Sequence, residues 1–141
     1  MRERAGSIMP QLSIDPLAVA AATVASFLFG ALWYGLLGKP WMRAAGIDPA
    51  DATMSAGLFA TTFVLQVITA SGLSLLLSAL APEGGIGAAV LVAAIAWLGL
   101  TAAPMAINHR YQGKGWDLTV IDGLHWLCVL VIMAIILTVI G

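Results

Sequence analysis

Residues 52–82 read ATMSAGLFATTFVLQVITASGLSLLLSALAP, thirty-one positions without an Asp, Glu, Lys or Arg. As one helix they would reach about 46 Å at 1.5 Å per residue, more than the roughly 30 Å of a bilayer's hydrocarbon core. Thr62, Gln66, Ala70, Ser74 and Ser78 recur every fourth position, so one face is small or polar and the rest apolar. In lipid such a face belongs against another helix. Three more uncharged stretches, 16–38, 84–109 and 123–141, hold 23, 26 and 19 residues. Each is close to the twenty or so residues a crossing needs. The fold class expected is all-α: an integral membrane four-helix bundle made of two helical hairpins. It forms a single membrane domain over residues 1–141, with spans at about 16–37, 50–81, 86–108 and 117–140.

Composition agrees. Of 141 residues 61% are hydrophobic and 9% charged, with a mean hydropathy of +1.00. Soluble domains carry about a quarter charged residues, so a soluble enzyme and a disordered linker are excluded. The net charge is −1 and no polybasic run exists, so no nucleic-acid partner is expected. The lone Cys128 excludes an intramolecular disulfide. Short connections leave no extramembrane domain, which confines any binding to the bundle or its rim. The first apolar run, at 23 residues, exceeds the 7–15 or so of a signal peptide. It ends in Trp33-Tyr34, with Trp41 beyond, as interfacial anchors do, so it is expected to stay as the first span.

Local signals set the expected boundaries. Asp15-Pro16 and Asp48-Pro49 each read as N-cap and first helical residue. Residues 38–48 and 109–116 read as loops. Pro82 closes the second span, and Pro104 predicts a kink in the third. Ala18, Ala22, Ser26 and Gly30 form a small-residue stripe on span 1. With the Gln66 face of span 2, it predicts close helix packing and a homo-oligomer. Val129 to Ile140 has no polar face and is expected to meet lipid on several sides. Gly38-Lys39-Pro40-Trp41 with Ile47-Asp48 is echoed by Gly113-Lys114-Gly115-Trp116 with Ile121-Asp122, which predicts a parallel internal repeat. Lys39, Arg43, Arg110 and Lys114 outnumber Arg2 and Arg4. By the positive-inside rule the 1–2 and 3–4 loops face the cytoplasm, and both termini lie outside.

The same topology gathers the chemistry on one side. A candidate polar and aromatic cluster comprises Trp33, Tyr34, Lys39, Trp41, Asn108, His109, Asp122 and His125. Asp122 and His125, at i and i+3, share a helix face, and an ionisable group in a span is a functional candidate with a partner to be found. Lys39, Arg43 or Arg110 is the partner expected for Asp122. No HxxxH or CxxC is present, and no Ser–His–Asp spacing or phosphate loop can be drawn. No catalytic residue, metal ligand or cofactor is therefore assigned. No acid lies near the centre of a span, which weighs against proton-coupled transport.

Gly30-Ala31-Leu32-Trp33-Tyr34 followed by Gly38-Lys39-Pro40-Trp41-Met42, and later Gly113 with Trp116, Leu118 and Ile121-Asp122, resemble the motifs of a bacterial family of small four-helix membrane proteins, domain of unknown function 1761. The resemblance covers nearly the whole chain. It implies an integral membrane protein and brings no established activity. The function expected is a non-enzymatic small-solute binder or conduit, or a membrane assembly component, in the bacterial inner membrane. Its partners are then the bilayer, further copies of itself and a small-molecule ligand. The rival reading is a redox or metal-binding membrane protein using His109 and His125.

Overall fold

A computed structural model describes residues 12–141, so Arg2 and Arg4 lie outside the described residues. Four helices follow in order: α1, Pro16–Ala45; α2, Ala56–Leu80; α3, Ile86–Tyr111; and α4, Trp116–Ile140. All four are long and apolar enough to cross a membrane.

Helix α1 starts where its cap places it. Asp15 is extended (φ −90°) and its Oδ1 accepts the Ala18 N–H at 2.8 Å, with Pro16 in the first turn. Its far end departs from the expected loop at 38–48. The helix runs through Pro40 to Ala45 and stops at Gly46, whose φ of 72° is the left-handed conformation that glycine tolerates. Gly46 N–H reaches Arg43 O, and Ile47 N–H reaches Met42 O. Pro40 has no N–H to donate to Leu36 O, so the helix passes it with one backbone bond fewer. Asp48-Pro49 does not start α2. Asp48 accepts the Ala50 N–H across a short turn, and Ser55 is the N-cap, accepting from Leu58 N. Helix α2 thus has 25 residues, not the 31 of the uncharged run.

In α3 the predicted kink takes a definite form. Residues Trp97–Ala102 are π-helical, and the Ala103 N–H bonds Leu98 O, five residues back. Pro104 has no N–H to give Leu100, and the wider turn before it accommodates that gap. Helix α3 ends as α1 does: Gly113, at φ 69°, donates to Arg110 O, and Lys114 N–H donates to His109 O. The structural echo therefore pairs Gly46 with Gly113 and Arg43 with Arg110. The Gly38 motif is inside a helix whereas the Gly113 motif is a turn, so the register read from sequence was displaced. Lys114 Nζ donates to the Ala45 carbonyl, left open at the end of α1, and ties the two loop-side ends together.

Helix α4 packs against the other three and is the most buried of the four. Val129, Leu130, Met133, Ala134 and Leu137 are buried, so one face of its aliphatic half lies in the core, while Val139 and Ile140 are exposed as expected of a lipid-facing end. A helix apolar all round gives no moment to show which face turns inward. The α1 stripe explains the close fit: Ala18, Ala22 and Ser26 are buried, and Gln66 and Ala70 of α2 are buried too. These faces are used up within one chain, which removes the sequence argument for an oligomer. Large apolar side chains such as Leu17, Leu36, Ile68 and Leu100 point outward, as a lipid-facing surface requires and a soluble surface forbids.

Candidate functional site

The loop-side end brings α1, α3 and α4 together around Asp122. Six residues into α4, it projects toward α1. Because α1 continues past Leu37, Trp41 stands two turns beyond Tyr34 on the same face. Tyr34 Oη donates to Asp122 Oδ1 at 2.8 Å, and Trp41 Nε1 donates to the same oxygen at 2.9 Å. Tyr34 and Trp41 meet edge to face at 5.5 Å. On the α3 side, His109 Nε2 lies 3.8 Å from Asp122 Oδ2, and His109 Nδ1 lies 3.0 Å from Thr119 Oγ1. Among the described residues this is the only acid–base pair within 4 Å. The expected partner of Asp122, Lys39, Arg43 or Arg110, is corrected by these contacts. Lys39 and Arg43 are exposed, and Arg110 turns to Gly115 O and Thr119 Oγ1.

His125 sits one turn deeper and is 5% exposed. It is walled by rings: Phe29 stacks on it at 6.0 Å, Tyr34 lies at 4.9 Å, Trp126 at 5.4 Å and Trp33 at 6.2 Å. Neither ring nitrogen has a hydrogen-bond partner within the protein, nor do the Thr23 and Ser26 hydroxyls. A Cβ at Gly30 would come within 3.3 Å of His125 Nε2; glycine there is what lets the imidazole lie against α1.

Of the eight cluster residues, Tyr34, Trp41, His109 and Asp122 converge directly. Trp33 and His125 form the layer beneath. Lys39 and Asn108 are exposed and are not among the partners of Asp122. Sequence reasoning missed Thr119, which links His109 and Arg110, and the rings of Phe29 and Trp126. Thr119 and Trp126 stand at i−3 and i+4 from Asp122, so helical spacing did hold that signal. Among the described residues no three His, Cys, Asp or Glu side chains gather closely enough to hold a metal ion. A cavity of about 300 Å³ lies at the opposite end, lined by Ser13, Asp15, Ser74 and Ser78 among others. Ser74 Oγ donates to Ser13 O and Ser78 Oγ accepts from Ser13 N, so the lower polar stripe of α2 docks the segment preceding α1.

Four apolar crossings define the class: a multi-pass membrane protein, here with a hydrogen-bonded carboxylate held at one rim. The chain belongs to the family described as protein of unknown function (DUF1761), whose profile matches residues 17–138. No curated protein and no solved structure matches it.

Proposed function

We propose that the chain is a non-enzymatic membrane protein that binds a small, positively charged solute at the loop-side rim, with Asp122 as its anchor. The observation that carries this reading is the company Asp122 keeps. Its Oδ1 takes two uncharged donors, and no Lys or Arg nitrogen approaches within 4 Å among the described residues. An acid in a span is expensive unless it is paired. Here the protein supplies hydrogen bonds and His109 but no permanent counter-charge. The surrounding rings of Tyr34 and Trp41 offer the electron-rich faces that attract ammonium groups. A binder or conduit fits this arrangement better than an assembly component, which needs no unneutralised carboxylate. Among the described residues no three His, Cys, Asp or Glu side chains gather at His109 and His125, so nothing there favours the metal alternative.

Location belongs to the same proposal. We place the chain in a bacterial inner membrane, and Lys39, Arg43, Arg110 and Lys114 support a cytoplasmic position for the 1–2 and 3–4 loops. The experiment is a titration of the purified full chain with tetramethylammonium chloride, read by tryptophan fluorescence, since Trp41 touches the anchor. Saturable change is expected in the wild type. Asp122→Asn, nearly the same shape without the charge, should weaken it about tenfold or more while leaving helicity unchanged. Equal binding by both proteins would overturn the assignment of Asp122.

A further inference from the structure

A groove runs down the outer face between α3 and α4 and meets the Asp122 cluster only at Thr119, which lines it and contacts His109. This open groove has a volume of about 370 Å³, and its walls include Trp97, Ala106, Trp116, Thr119, Val120 and Leu124. Gly123, with no side chain, forms part of its floor. The one polar atom Trp97 would bring, Nε1, is used up on Gly123 O at 2.8 Å. From Trp116 to Leu124 the groove descends about 12 Å along α4 at 1.5 Å per residue. Half of a roughly 30 Å hydrocarbon core is about 15 Å, so the groove spans most of one leaflet. Its length accommodates the upper part of an acyl chain lying along the bundle.

Its upper end is charged. Arg110 lays its guanidinium 4.1 Å over the ring of Trp116, a wall of the groove. The same side chain donates to Thr119 Oγ1 at 2.9 Å and to Gly115 O at 2.7 Å, so it is held in place. No carboxylate lies within 4 Å of it among the described residues. Asp117, the nearest acid in sequence, turns Oδ1 to the Leu118 N–H instead. A fixed, unneutralised guanidinium at headgroup level, above an apolar groove spanning most of one leaflet, is complementary to an anionic lipid.

We propose that the α3–α4 groove binds one acyl chain of an anionic phospholipid, whose phosphate pairs with Arg110. The inference is independent of any solute at Asp122. The test is native mass spectrometry of the full chain in mild detergent, with phosphatidylglycerol and phosphatidylcholine of matched chains added. The wild type should retain phosphatidylglycerol about tenfold better. Arg110→Gln should abolish that preference, and Ala106→Phe, which fills the groove, should lower retention of both lipids. Equal retention of the two lipids by the wild type overturns the proposal. So does an undiminished preference in Arg110→Gln, or undiminished retention in Ala106→Phe; this last arm decides the matter without Arg110→Gln should that variant not fold. A second copy in the groove is the competing occupant. It would show as efficient disulfide dimerisation of Ala106→Cys in a Cys128→Ala background, and that result too would overturn the proposal.

Discussion

At the scale of single residues, Asp122 and His125 lie one turn apart and do different things. Asp122 is hydrogen-bonded and stands at the rim, whereas His125 is packed among Phe29, Trp33, Tyr34 and Trp126 without a polar partner. A buried donor or acceptor left unpaired costs about 1–3 kcal/mol, and replacing it by an apolar group of similar shape is nearly neutral. His125 therefore acts on the site through packing, as the wall behind Tyr34. His125→Ala should lower stability by about 2–4 kcal/mol because it leaves a cavity. His125→Leu should match or exceed the wild type. Thermal melts followed by circular dichroism in detergent check the order. A wild type more stable than the Leu variant by about 2 kcal/mol or more would mean that the imidazole nitrogens do have partners. The i, i+3 spacing of this pair was legible in the sequence, but its division of labour was not. Spacing puts two residues on one face; which of them meets donors depends on how far α1 extends beyond Leu37.

At the scale of elements, that extension depends on Gly46. The left-handed turn there lets α1 pass Pro40 and carry Trp41 to the carboxylate. Gly46→Ala forces a Cβ into φ 72°, at a cost of about 1 kcal/mol, and should loosen the final turn. Weaker tetramethylammonium binding with unchanged overall helicity is the expected outcome, measured by the same fluorescence titration. Unaltered affinity would show that Trp41 is placed without this cap. Asp15-Pro16 could be read correctly because both residues act locally. Asp48-Pro49 carries the same two letters, yet it builds a turn, since Gly46 has already ended α1 and Ser55 offers a better-placed cap for α2. The displaced repeat has a similar cause. Gly, Lys and Trp recur at both rims, but the matching hydrogen-bond patterns belong to Gly46 and Gly113, and dihedral angles are not written in composition.

At the scale of the molecule, four crossings were legible because charge is confined to the ends of the apolar runs. The inner and outer faces were less so. The small-residue stripes of α1 and α2 announced contact without naming a partner; that partner is chiefly α4 for α1 and chiefly α1 for α2. The uniform apolarity of α4 concealed its central position. What the assembled bundle adds is a site: Tyr34, Trp41 and His109 meet at the loop side around Asp122, with no Lys or Arg within 4 Å of it among the described residues. The central claim is that this rim selects a positive charge. The most direct measurement is calorimetric titration of the wild-type full chain with tetramethylammonium and, separately, with neopentyl alcohol, a neutral molecule of similar size. Saturable binding of the ammonium ion and at least about tenfold weaker binding of the alcohol are predicted; equal affinities, or no binding of the ion, would contradict the account.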